Sequence, residues 1–277
     1  MGHLFEFAFF RNALAGLILI SIASALIGTY IVTRRLVSIS GGVTHACFGG
    51  LGLGYFFGIN PVFMAALFAV ASSLGVEFMS ERGRVREDSA IAVIWAIGMA
   101  IGILFVFLTP GYVPELNSFL FGNVLTIGKS DLWAFAVFLV ILIIFFIAFY
   151  HKIITVAFDR DFAKVMHLPV RFISCSMTVL TAVCIVLTIR LVGVMLLMSM
   201  LVLPQLIAEF FCRRFTRMMI LSAVISLACC IGGLFLASLI DVPCSALIVL
   251  LMAAVYLSTA IFFYARQRFI LQRIRRL

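Results

Sequence analysis

One imidazole stands among glycines in the stretch RRLVSISGGVTHACFGGLGLGYFFG, residues 34–58, which turns apolar just after Arg34 and Arg35. On a helix, Gly41, His45, Gly49 and Gly52 fall on a single stripe, so that face carries no side chain except the imidazole. Imidazole nitrogens bind cations, and stripes of small residues let a second helix approach closely in lipid, where packing drives association. The spacing predicts a narrow path between helices or between subunits, with His45 facing a passing cation. The alternative is that His45 simply hydrogen-bonds a neighbouring helix, although ionisable groups at membrane depth are costly and tend to mark pathways. Cys47 points to nearly the opposite face and is a poor co-ligand from the same helix.

The elements that must hold this stretch are themselves apolar. Of 277 residues, 65% are hydrophobic and 11% charged, which makes the chain an all-α integral membrane protein and not a soluble enzyme with an anchor. Segments of spanning length fall at roughly 11–33, 41–59, 61–80, 89–109, 131–150, 171–189, 190–211, 218–240 and 244–264. The expectation is therefore a polytopic bundle of about nine transmembrane helices, some broken or short, forming one domain over 1–277. The first segment lacks a basic leader and a cleavage site and is read as a retained helix. With the N-terminus outside and the C-terminus cytoplasmic, 17 of the 20 basic residues lie on inside loops, leaving Arg11, Lys129 and Arg190. The net charge of +9 thus reads as membrane topology and not as a nucleic-acid surface. The seven cysteines show no C-x-x-C spacing and read as small packing residues.

Several positions carry local expectations. Asp88 and Ser89 are placed to cap the fourth helix, and Asp241, at the outside turn between the last two helices, to cap there or, less simply, to meet passing cations. Residues 116–125 have the pattern of a short amphipathic helix across the outer mouth. In the loop 151–170, Phe158, Phe162 and Val165 fall at helical spacing among charges, the pattern of a short surface helix; it reads either as a handle for a soluble partner or as a snorkelling membrane-surface element. Pro204 lies near the middle of the seventh segment, where proline kinks or breaks a helix, and is expected to line or gate the path. Glu209 reads as an interfacial ion pair with the nearby arginines, or less simply as a cation site on exit.

The motifs RRLVSISGGVTHA, REDSAIAV, SFLFGNVLT, FDRDFAKVMHLPV, RLVGVMLLMSMLVLPQ and DVPCSALIVL, taken in order and spacing, resemble those of the membrane permease subunit of bacterial ABC importers for transition-metal ions, the zinc, manganese and iron group. The resemblance covers nearly the whole chain. It implies a multi-pass protein of the bacterial inner membrane that carries a divalent metal ion inward, zinc or manganese first and iron next. Its partners would be a second permease copy or paralogue, a cytoplasmic ATP-binding subunit and an extracytoplasmic metal-binding protein. The resemblance also implies that Phe158, Asp159, Asp161, Phe162, Leu168 and Pro169 belong to a coupling helix that sits in the ATPase. The family's metal path uses an aspartate and a histidine four residues apart; here the histidine is His45 and the aspartate position is Gly41. His167 stands where the family often has glycine.

No G-x-x-x-x-G-K-S/T motif occurs, so the chain does not itself cradle nucleotide phosphates by a P-loop. It is expected to be no enzyme, with no tightly bound cofactor and the transported metal as its only ligand. The rival reading is a self-sufficient secondary transporter or channel; such proteins usually carry acidic relays and inverted repeats, and neither is evident in this sequence.

Overall fold

The computed structural model describes residues 7–82, 85–110, 122, 124 and 127–274. Ten helices are present among them: α1 (Ala8–Thr33), α2 (Val37–Phe57), α3 (Pro61–Arg82), α4 (Glu87–Leu108), α5 (Lys129–Phe158), α6 (Arg160–Val165), α7 (Val170–Val192), α8 (Val194–Phe211), α9 (Phe215–Ile240) and α10 (Cys244–Ile274). Eight are long and apolar enough to cross a membrane. The ninth long helix, α2, has the length but is diluted by glycine and hydroxyl residues. It is tolerated at that depth because protein surrounds it: α4 and α3 pack along it, and most of its residues are buried. The amphipathic segment expected at 116–125 falls outside the described residues, apart from Gly122 and Val124.

The bundle is built around α1, the most enclosed of the eight spans. It packs on α9, α8 and α5, while α7 bridges α3 and α5, and α10 closes over α8 and α9 as the most peripheral span. Five of the seven cysteines are buried in these interfaces, in keeping with a packing role.

Local chemistry explains several boundaries. Asn60 Oδ1 accepts from the backbone N–H groups of Val62 at 3.0 Å and Phe63 at 3.3 Å, and Pro61 occupies the first helical position where its missing donor costs nothing. The expected cap by Asp88 and Ser89 does not form. Arg86 holds the N-cap position without a side-chain bond, and Glu87 and Asp88 lie in the first turn, where they favour the positive end of the helix dipole. Asp241 adopts a left-handed conformation at the end of α9, so its contribution at that turn is a backbone one.

The sequence pattern places the start of the seventh segment at Arg190 and a break at Pro204. Instead α7 continues to Val192, with Arg190 in its last turn pairing with Asp131 of α5 at 3.0 Å. The break is at Gly193, whose φ of 83° and ψ of 170° are essentially reserved to glycine. Helix α8 runs unbroken through Pro204, so this proline removes a hydrogen bond without interrupting the helix. The marked kink lies in α5, at Phe149 (φ −114°, ψ 17°). Beyond it α5 continues through residues whose charges read as loop, because Ile153, Val156 and Ala157 extend its buried stripe.

Gly193→Ala should lower the thermal midpoint of the purified protein, by a stability loss of about 1–3 kcal/mol. Gly232→Ala should leave it unchanged, since a Cβ there meets only Leu251 at 3.8 Å.

Candidate functional site

The glycine stripe of α2 meets a second helix, and that helix is α4 of the same chain. Gly49 faces Phe68 and the Gly98 carbonyl, and Gly52 lies against the backbone of Gly102. A Cβ built at Gly98 would come within 2.6 Å of Ala46 Cα. The two backbones therefore touch glycine against glycine, as a small-residue stripe allows. Gly41 is different: its neighbour is Met198 of α8, whose terminal methyl would lie 2.9 Å from a Cβ there. The bare face is accordingly filled from within the chain by α4, by Phe68 of α3 and by Met198 of α8, and is not left open along its length.

His45 sits between these two contacts. Its ring stacks on Trp95 of α4, centroids 4.7 Å apart and planes within 5°, with Phe48 further off at 6.4 Å. Its Nδ1 is buried and has no hydrogen-bond partner among the described residues. The packing role considered for this histidine requires such a bond, so that atom does not support it. Cys47 turns away, its thiol donating to the Val43 carbonyl at 3.0 Å in a fully buried position. Among the described residues no three of His, Cys, Asp or Glu converge to hold a metal ion. Pro204 is buried on α8, nearly two turns from Met198, and Glu209 and Arg213 line a cavity of about 890 Å³ at the end of that helix.

A second assembly occupies the arginine-rich end. Asp159 caps α6, accepting from the N–H groups of Asp161 at 3.0 Å and Phe162 at 2.9 Å. The chain leaves α6 through His167, in a left-handed conformation (φ 53°) of the kind glycine adopts freely. Ala163 is buried beneath α6, and Leu168 packs against the core. Phe158, Phe162, Val165 and Met166 project outward, each more than half exposed. Asp161 pairs only locally, with Lys164 at 3.0 Å, and Pro169 precedes α7.

Arg160 ties this element inward. Its guanidinium pairs with Glu77 of α3 and with Glu87 of α4 (3.2 Å), and donates to Ser174 of α7 at 3.1 Å. Glu87 also accepts from Arg34 at 3.1 Å, and Arg34 donates to the Tyr30 hydroxyl at 3.2 Å. Ser38 of α2 donates to Asp88 at 2.9 Å. Two arginines and two glutamates thus join α6 to α1, α3, α4 and α7. Sequence reading missed this network, since its bonded pairs are up to 83 positions apart; unusually apolar flanks around Glu77 were the available sign.

These features define a polytopic transport-type membrane protein, with an ionisable residue at membrane depth and an exposed aromatic knob at one end. The chain belongs to the ABC 3 transport family, which matches residues 6–263. It is 36% identical over 242 residues to a probable metal transport system membrane protein of Chlamydia pneumoniae, covering 85% of this chain and 83% of the relative. It is 28% identical to a manganese transport system membrane protein of Listeria monocytogenes, over 95% and 91% of the two chains. In fold it resembles PsaBC from Streptococcus pneumoniae in complex with Fab, with a TM-score of 0.80, 24% identity and 92% of both chains covered.

Glu77 is almost fully buried, so removing its partner leaves an uncompensated charge. Arg160→Met should cost about 3–5 kcal/mol of stability. Adding Glu77→Gln to it should recover part of that loss, a non-additivity that thermal unfolding of the four purified proteins would measure.

Proposed function

We propose that this chain is the permease subunit of an ATP-driven importer that carries a divalent transition-metal ion into the cytoplasm. Zinc and manganese are the leading cargoes and iron follows. The observation that carries the reading is the capped, outward-facing α6 with Phe158 and Phe162 exposed on a chain that belongs to the ABC 3 transport family. A soluble ATP-binding subunit docks on this knob from the cytoplasmic side. A metal-binding protein delivers the ion at the opposite end, and a second permease copy or paralogue completes the path. The membrane is the bacterial inner membrane, with the N-terminus outside. The permease itself is not catalytic, and its only ligand is the passing metal.

Mechanically, a push on α6 is delivered to Arg160 and from there to Glu77 and Glu87, the carboxylates of α3 and α4. Helix α4 is locked to α2 through facing glycines, so displacing it carries the helix that bears His45. The imidazole, with Nδ1 unpartnered, gives the ion a transient ligand. A single nitrogen per chain binds weakly, which suits a path that must release its cargo.

Phe162→Asp places a charge on the docking knob and should abolish co-purification of the ATP-binding subunit while the permease remains at its normal level in the membrane. Unchanged co-purification rejects α6 as the docking element. His45→Ala should lower metal uptake by roughly tenfold or more, the scale on which changes around a metal act, with the complex still assembled. Radiolabelled zinc and manganese uptake in cells relying on this system is the measurement.

A further inference from the structure

The place one turn before His45 on its own stripe is filled by sulfur-bearing Met198 and not by any oxygen ligand. The terminal methyl of Met198 packs against Gly41, four residues and about 6 Å of helix rise from His45. Helical side chains lean back towards the N-terminus, so the imidazole inclines towards the turn that Met198 covers. Met198 is only partly buried, and Met195, one turn earlier on the same face of α8, is 48% exposed. Met198 thus packs against the core while keeping part of its surface accessible, and Met195 lies at the open edge of the same face. Trp95 walls one side of the imidazole. No carboxylate lies at membrane depth on any of the three helices: α2 has none, α4 carries Glu87 and Asp88 only in its first turn, and α8 carries Glu209 only near its end.

We infer that His45 and Met198 together form a nitrogen–sulfur contact point for the ion, and that this pair makes the path selective for zinc over manganese. The assignment rests on the importer reading above and narrows its cargo. Thioether and imidazole donors favour softer metals such as zinc, whereas manganese is best served by carboxylate, carbonyl and water oxygens. Because the methionine comes from a different helix, the contact exists only while α2 and α8 hold their present register, so re-packing of either helix releases the ion. A side chain at position 41 would have to move the terminal methyl of Met198, a shift that a flexible thioether chain can make.

The test is uptake of radiolabelled zinc and manganese in competition, with permease abundance in the membrane followed alongside. Met198→Leu conserves volume while removing sulfur, and should lower the zinc-to-manganese uptake ratio by roughly threefold or more. Gly41→Asp combined with Met198→Ala supplies an oxygen ligand in the vacated space and should shift the ratio further towards manganese. If uptake requires His45 but the ratio is unchanged by Met198→Leu, the thioether assignment is overturned and the importer reading stands. If His45→Ala leaves uptake of both metals intact, the pathway itself is wrong and this inference falls with it.

Discussion

The structure depends on a buried ion cluster at the arginine-rich end. Taking a carboxylate such as Glu77 out of water is expensive unless its partner is held at hydrogen-bonding distance, and Arg160 provides that partner from an element that would otherwise have little reason to stay in place. The arginine also reaches Glu87 and Ser174, while Arg34 binds the same Oε1 of Glu87. Each charge is thereby satisfied by groups on other helices, and separating Arg160 from Glu77 strands a carboxylate that is almost fully buried. A short surface helix is in this way made part of the bundle.

At membrane depth a different constraint takes over. Hydrophobicity does not pull helices together in lipid, so α2 is retained by shape. Its glycines admit the backbone of α4 at Gly98 and Gly102 and leave the imidazole as the main protrusion on the stripe. The two regimes are joined because α4 belongs to both: its first turn carries Glu87 in the ion cluster, and its middle carries the glycines that grip α2. Displacement of one end would be carried along α4 to the other.

Much of the fold was legible because the signals were local. Lipid thickness sets the segment lengths, and the Asn60-Pro61 and Phe158-to-Pro169 patterns declare their own turns. What escaped was whatever depends on distant residues or on backbone shape. Gly193 was hidden inside a continuous apolar run, so the boundary was assigned to the conspicuous Arg190 and the interruption to the conspicuous Pro204. The extension of α5 past Phe149 was obscured by interleaved charges, although its apolar stripe persists. The glycine stripe announced a close helix, but its partner could not be named, because nothing in residues 41–52 says whether α4 or another subunit fills it. Met198 beside Gly41 needed coordinates, since a methionine in an apolar helix looks like any other packing residue.

The brevity of α6 has a further consequence. Six residues cannot sustain a helix alone, since nucleation costs more than so few hydrogen bonds return. Its shape is imposed by the Asp159 cap, by buried Ala163 and by the anchored guanidinium of Arg160. A protein that seats itself on Phe158 and Phe162 therefore meets a surface already in its final form and spends little of its binding energy on ordering it. Contact made there would then be transmitted as displacement instead of being absorbed in folding.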